Sequence, residues 1–217
     1  MKKRNLKKYI VAFGFLGAFI LWTVMLCSVD VQPIGPQGSS VGFAACNRLV
    51  HSLTGVHMLL YTVTDWLGLV PILFVLGFAA LGLAQWIKRK SITRVDRSIL
   101  VLGGFYAVVL AVYVLFEKVV INYRPVLIDG VLEASYPSST TMLVMCVMPT
   151  AAMQLHNRIQ RKPARWFVVA AITVFTVFMV VGRLISGVHW VSDIIGGALL
   201  SGFLVMLYCA TSGSFFA

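Results

Sequence analysis

Six long apolar runs divide the sequence, and none of them contains a charged residue. A helix that crosses a lipid bilayer needs about 20 apolar residues, and a helix satisfies its own backbone polar groups where water is absent. Six such helices use most of the 217 residues. The sequence therefore predicts an all-α, polytopic membrane protein, with a six-helix transmembrane bundle forming a single domain over residues 1–217. The runs are Tyr9–Val29, Trp66–Ile87, Ser98–Phe116, Ser138–Leu155, Trp166–Gly182 and Ile194–Ala217.

The distribution of basic residues predicts how this bundle lies in the membrane. The net charge is +11, which in a soluble protein would suggest a nucleic-acid partner. Here fourteen of the eighteen Lys and Arg residues fall in three short segments, 2–8, 88–97 and 158–165. If six helices alternate in direction, all three segments lie on one side, which the positive-inside rule makes cytoplasmic. We therefore expect an integral membrane protein with both termini in the cytoplasm, most simply in a bacterial cytoplasmic membrane. The basic segments are then anchors to lipid head groups, and nucleic acid is excluded as a partner.

The N-terminal apolar run and the cysteines refine this interpretation. The N-terminal apolar run is longer than a signal-peptide core of about 7–15 residues, so we interpret it as a retained span. Cys27 and Cys46 both fall near the outer face, where they could pair in an oxidising compartment. No CxxC motif and no His/Cys spacing typical of a metal site is present, so the sequence predicts neither a metal nor a cofactor.

The segment between the first two runs is amphipathic rather than apolar. Phe43–Leu53 mixes apolar residues with Asn, Arg, His and Ser, which predicts a short helix in the outer interface. Leu49–Thr64 contains two histidines and is short for a span, so we expect it to be interfacial or re-entrant. A seventh span here would move half of the basic loops to the outer side.

Polar residues with phosphate chemistry converge on the predicted outer face. Arg124 and Arg183 follow spans three and five, and the serine-rich start of span four, with Ser138 and Ser139, lies at the same level. Arginines and free N–H groups at a helix N-terminus bind tetrahedral oxyanions. His189 and Asp193 are four residues apart, so on a helix they share one face, where the carboxylate orients the imidazole. Together these groups predict phosphoryl transfer through a phosphohistidine without a metal.

Each of these features also has a structural interpretation. The arginines could anchor the chain to lipid head groups, the His–Asp pair could link helices, and the serines could only cap a helix. Their agreement on one face, from distant parts of the sequence, favours a common site.

These residues resemble the motifs of the type 2 phosphatidic acid phosphatases, the membrane branch of the acid phosphatase and vanadium haloperoxidase superfamily. The family pattern SRxxxxxHxxxD is matched by Arg183, His189 and Asp193, KxxxxxxRP by Arg124–Pro125, and PSGH by Pro137–Ser138. The resemblance covers residues 66–217. It implies that His189 is the nucleophile and Asp193 its partner. It also implies that the arginines, a lysine and the serines hold the phosphate.

Gly182 replaces the serine of the third motif, and two further departures bear on catalysis. Glu117 stands at the lysine position of the first motif, and Lys118 is one residue away from it. The second motif reads PSST, so Thr140 replaces the histidine that protonates the leaving group. Threonine is no general acid near neutral pH, which costs about 10²–10⁴-fold in rate unless another group substitutes. The candidates for a substitute acid on the outer face are Glu117, Asp129, Glu133, His51 and His57, the two histidines being interpreted first as interfacial polar groups.

The sequence thus predicts a membrane lipid-phosphate or lipid-diphosphate phosphatase whose active site faces the outer side. Its substrate class, by resemblance, is a phospholipid or polyprenyl phosphate such as phosphatidate, phosphatidylglycerophosphate or polyprenyl diphosphate. Two alternatives remain: a catalytically impaired relative that binds phospholipid or a partner without turnover, and a lipid phosphotransferase.

Overall fold

The computed structural model describes residues 2–212, and in this range the chain is helical with no β-strands. Isolated antiparallel bridges occur only in the loops. The α-helices are α1 (Lys2–Ser28), α2 (Ala44–Thr54), α3 (Met58–Leu67), α4 (Leu69–Arg89), α5 (Arg97–Lys118), α6 (Ser139–Arg158), α7 (Lys162–Ile185) and α8 (Val191–Ser212).

Five helical stretches are long and apolar enough to cross a membrane: α1, the combined α3–α4 stretch, α5, α7 and α8. The sixth long helix, α6, has 20 residues, which at 1.5 Å per residue also matches the thickness of a bilayer core. It is less apolar because it lies in the middle of the bundle and carries Thr150 and Gln154 on buried faces. The predicted all-α, six-helix bundle is therefore confirmed.

The segment before the second span differs from the prediction. The short helix expected over Phe43–Leu53 is present as α2. The expectation that Leu49–Thr64 is one interfacial or re-entrant piece is wrong, because α2 ends at Gly55 and the second span begins at Met58. Gly55, the C-cap of α2, has a φ of 68°, a positive value that glycine adopts readily. The candidate span is thus longer than Trp66–Ile87 predicts, and its first turns, α3, pack against α7.

Helix α1 runs antiparallel to α8 along its whole length. Near one end, Nζ of Lys8 donates a hydrogen bond to the carbonyl of Cys209 at 3.0 Å. Near the other, Nε1 of Trp22 donates to the carbonyl of Ser192 at 3.1 Å. The apolar face of α8 is therefore covered by the N-terminal helix.

Basic residues from different segments meet at one end of the bundle. Asp96, at the start of α5, contacts Arg89 of α4 at 2.9 Å and Arg158 of α6 at 3.6 Å. This end is opposite to the loops that carry Arg124 and His189, as the alternation of helices predicts. Cys27 and Cys46 are both free thiols in the structure.

Candidate active site

The loop between α5 and α6 folds back on itself and holds Arg124 in place. The N–H of Arg124 donates to the carbonyl of Glu133 at 3.0 Å, and the N–H of Ser135 donates to the carbonyl of Asn122 at 2.9 Å. These bonds are antiparallel pairs of a short hairpin. A loop that would otherwise be mobile is thus given a defined path across the end of the bundle.

Two arginines that are distant in sequence meet at one histidine nitrogen. Nη1 of Arg124 lies 3.5 Å from Nε2 of His189, and Nη2 of Arg183 lies 3.4 Å from the same atom. All three residues are buried, and the side chain of Arg183 is 1% exposed. Guanidinium groups converging on one imidazole nitrogen form a positively charged space next to a potential nucleophile.

His189 lies in the turn between α7 and α8, not on a helix. The expectation that His189 and Asp193 share a helix face is therefore wrong in its geometry, although the two side chains are close. Nδ1 of His189 lies 3.8 Å from Oδ2 of Asp193, which is beyond hydrogen-bond distance.

Asp193 also has a structural role at the start of α8. Its Oδ2 accepts a hydrogen bond from the N–H of Trp190 at 3.0 Å, which is the return half of a capping box. Its Oδ1 accepts from Nδ2 of Asn122 at 3.3 Å. A carboxylate in the first turn of a helix also opposes the positive end of the helix dipole. Asp193 thus connects the helix start, the hairpin loop and the neighbourhood of His189.

The turn that carries His189 is braced from both sides. Gly187 has a φ of 69°, and a Cβ atom there would lie 1.9 Å from the carbonyl oxygen of Gly55, so only glycine fits. His51 interacts through Nε2 with the carbonyl of Gly187 at 3.2 Å. His57 interacts through Nε2 with the carbonyl of Thr54 at 2.8 Å and is exposed. The two outer histidines therefore support loops, in keeping with their interpretation as interfacial polar groups.

The start of α6 divides its two serines between different environments. Ser138 is the N-cap: its Oγ accepts from the N–H of Thr141 at 3.5 Å, and its own N–H donates to the carbonyl of Asp193 at 3.1 Å. Ser139 is only partly buried. The first-turn N–H groups of Ser139 and Thr140 take no part in these bonds, so they are the ones that remain for an anion at this helix end.

The remaining predicted residues lie in different surroundings. Lys118 ends α5, is exposed, and within the described residues no hydrogen bond or ion pair joins it to the arginines. Asp129 lies exposed at the tip of the hairpin. Glu133 pairs with Nε of Arg124 at 2.9 Å. Glu117 lies beside the hydroxyl of Tyr113 and lines a small cavity together with Ser139.

Sequence reasoning missed two residues of α3, Tyr61 and Asp65. Oδ1 of Asp65 lies 3.5 Å from Nη1 of Arg183. The ring of Tyr61 lies beneath the guanidinium groups of both Arg183 and Arg124. Their spacing of four residues, one helical turn, was the available signal, but it has meaning only if this segment is a helix facing the bundle.

A groove in the apolar surface of the bundle approaches the site. It lies between α4 and α5, has a volume of about 840 Å³, and is lined almost entirely by apolar residues such as Phe78, Leu83 and Leu110. Its lining includes Tyr113, the residue beside Glu117. No group of three His, Cys, Asp or Glu side chains that could hold a metal ion occurs within residues 2–212.

Electrostatics keep the histidine neutral. Burial, and then the charges of Arg124 and Arg183, lower the pKa of His189 well below its ordinary value of 6.5. At neutral pH the imidazole is therefore uncharged, and one of its nitrogens carries a free lone pair.

This shift predicts a pH dependence of stability. Between pH 6.5 and the lower pKa of the folded state, the unfolded chain binds a proton at His189 and the folded chain does not. Stability must then fall as the pH drops through this window. We expect thermal unfolding in detergent, followed between about pH 7.5 and 5, to show a steeper loss of stability for the wild type than for His189→Gln. Equal pH slopes for the two proteins would contradict the shift.

Two comparisons with known proteins give a match. Residues 120–215 match the family profile of the PAP2 superfamily. The fold is similar to that of the first transmembrane PAP2-type phosphatidylglycerolphosphate phosphatase from Bacillus subtilis, known from a crystal structure. The TM-score is 0.60 with 18% sequence identity, over 94% of this chain and 96% of that chain. No curated protein matches the sequence.

At this identity the structural similarity concerns the fold, and with the apolar helices it establishes an integral membrane protein. The resemblance to the type 2 phosphatidic acid phosphatases is confirmed over residues 120–215, which match the PAP2 superfamily.

Proposed function

We propose that the protein is a membrane lipid phosphatase that acts at the extracytoplasmic face through a phosphohistidine on His189. The observation that carries the proposal is the convergence of Arg124 and Arg183 on Nε2 of His189, at 3.5 and 3.4 Å. A phosphate that enters this space displaces the arginines from the imidazole and takes their hydrogen bonds. Its phosphorus then lies in front of a neutral nitrogen nucleophile.

The reaction has two steps. Nε2 of His189 attacks phosphorus, the P–N bond forms, and the bond from phosphorus to the lipid oxygen breaks, so that the lipid leaves as an alkoxide that takes up a proton. Water then attacks the phosphohistidine, releasing inorganic phosphate and restoring the imidazole. The two guanidinium groups stabilise the negative charge that develops on the equatorial oxygens in both transition states. Asp193, close to Nδ1, stabilises the positive charge on the ring while the P–N bond exists.

Among the candidate acids, Glu117 fits the position of the leaving group best. It lines the same cavity as Ser139, next to Thr140, where the family pattern has its histidine. Glu133 is held in an ion pair with Nε of Arg124 and lies on the phosphate side of the site. Asp129 lies at the hairpin tip, away from these contacts. We therefore propose that Glu117 donates the proton that the lipid alkoxide takes up.

The apolar groove supports a lipid as the substrate. A chain of methylene or isoprenoid units lying between α4 and α5 would bring its head group towards Tyr113 and Glu117. The structurally similar Bacillus subtilis protein is a phosphatidylglycerolphosphate phosphatase. A phospholipid or polyprenyl phosphate is thus the proposed substrate class. The outer location follows from the basic segments at the opposite end of the bundle.

The test is phosphate release by the purified protein in detergent micelles. Phosphatidate, phosphatidylglycerophosphate and polyprenyl diphosphate are each offered to the wild type and to Thr140→His. We expect the wild type to release phosphate from at least one of them, and Thr140→His to be faster by about 10-fold or more, because it adds the histidine acid of the family pattern to the slower donor Glu117.

Other outcomes separate the alternatives. Activity found only in Thr140→His would identify the natural protein as an impaired relative that binds phospholipid without turnover. Loss of lipid phosphate without free phosphate, with the phosphoryl group recovered on an added lipid alcohol, would identify a phosphotransferase. No reaction by either protein would refute the phosphatase.

A further inference from the structure

Tyr61 contacts both arginines through the face of its ring. The ring centroid lies 4.9 Å from Cζ of Arg183 and 5.9 Å from Cζ of Arg124. No hydrogen bond of the Tyr61 hydroxyl is found within the described part of the chain. A guanidinium group over an aromatic face is attracted by the ring's negative quadrupole, and the attraction is stronger where water is excluded. Arg183 is in such a place, because its side chain is 1% exposed.

The position of Tyr61 depends on a close approach of α3 and α7. A Cβ atom at Gly182 would lie 2.9 Å from Cγ2 of Thr64, which is fully buried between the two helices. A larger residue at Gly182 would require Thr64, which is one helical turn from Tyr61, to shift. The family motif has serine at the position of Gly182. In the structure, glycine at this position permits the close approach of Thr64.

Without the ring, charge would draw the two guanidinium groups apart. Arg183 has Asp65 on its outer side at 3.5 Å, and Arg124 has Glu133 at 2.9 Å. The two cations also repel each other, since both lie against His189. A neutral aromatic face next to both supports them together without adding a charge that would compete with a phosphate.

We propose that Tyr61 is a positioning residue of the phosphate site, whose ring holds Arg124 and Arg183 together beside His189 in the arrangement that a tetrahedral oxyanion requires. The inference rests on the proposed function in that it takes the arginines as the phosphate ligands. It adds α3, which lies outside residues 120–215, to the site.

The experiment measures binding of inorganic phosphate to the purified full-length protein in detergent by titration calorimetry. Tyr61→Phe keeps the ring and is expected to bind within about 2-fold of the wild type. Tyr61→Leu removes the ring and is expected to bind about 10-fold more weakly, a loss of about 1.4 kcal/mol. Thr62→Leu, which places the same side chain on the exposed face of the same helix turn, is the matched control and is expected to bind like the wild type.

The results separate the role of the ring from a general effect on folding. Thermal unfolding is measured for every variant, and if Tyr61→Leu is not recovered folded, Tyr61→Met carries the same expectation. Unchanged binding by Tyr61→Leu would overturn the inference, as would an equal loss in Tyr61→Phe, which would assign the effect to the hydroxyl. Failure of the wild type to bind phosphate would overturn it too. Phosphate binding with the expected dependence on the ring, but without lipid hydrolysis, would refute the proposed function and leave the role of Tyr61 supported.

Discussion

Replacement of His189 by glutamine is expected to reduce phosphate release by more than about 10³-fold, because it removes the proposed nucleophile. Glutamine is neutral, like the buried imidazole, and its amide oxygen can accept hydrogen bonds from Arg124 and Arg183. The folded structure should therefore persist. The measurement is free phosphate from the lipid substrate, with a search for acid-labile radioactive phosphate on the protein after brief incubation with labelled lipid.

The matched control for this variant is His57→Gln. The side chain of His57 is exposed and bonds to the nearby carbonyl of Thr54, so the same change of residue type should leave phosphate release close to that of the wild type. Labelled phosphate in the wild type and in His57→Gln, but not in His189→Gln, would identify the intermediate. Undiminished turnover by His189→Gln would eliminate the phosphohistidine mechanism.

Arg183→Ala is expected to lower the rate of phosphate release by about 10²–10³-fold, the usual cost of losing one group that stabilises transition-state charge. The effect should be large because Arg183 is almost completely buried, where its charge is little screened by water. Arg183→Lys should recover only part of the loss, since an ammonium group lacks the planar fork that binds two phosphate oxygens. Rates are measured at saturating and at low lipid concentration to separate binding from the chemical step.

Arg48→Ala provides the control for a lost positive charge. Arg48 lies at the same end of the bundle, is exposed, and its side chain donates a hydrogen bond to Oε1 of Gln32 at 3.3 Å. If Arg48→Ala slowed the reaction as much as Arg183→Ala, the effect would come from the overall positive potential near the membrane and not from a specific phosphate ligand. Thermal unfolding of Arg183→Ala shows whether the cavity left by the side chain has weakened the fold.

Much of the fold could be predicted from the sequence because the bilayer allows few alternatives. An uncharged run such as Ser98–Phe116 can hardly be anything but a spanning helix, and α5 covers it with one or two extra residues at each end. The segment from Leu49 to Thr64 was harder. Its histidines suggested an aqueous boundary, whereas in the structure α3 joins α4 to form the start of a long span.

The residues of the candidate site could be predicted where a sequence motif includes them. They could not be predicted where their positions depend on tertiary packing. Motif spacing brought Arg124, Arg183 and His189 together correctly in the prediction. It could not indicate that the N–H of Ser138 is already bonded to Asp193, or that Glu117 rather than Lys118 lies near the start of α6. These outcomes depend on how a hairpin loop crosses the bundle and on which face of α5 turns inward.

The contact between α1 and α8 bears on which part of the chain can fold and form the proposed site. Residues 120–215 match the family, yet the hydroxyl of Thr23 lies 2.6 Å from that of Tyr136, and Trp22 bonds to the start of α8. Separated from the first 119 residues, the family-matched part would lose the partner that covers α8 as well as the aromatic support beneath its arginines. We therefore expect that the N-terminal helices are needed, together with the family-matched part, for the proposed chemistry.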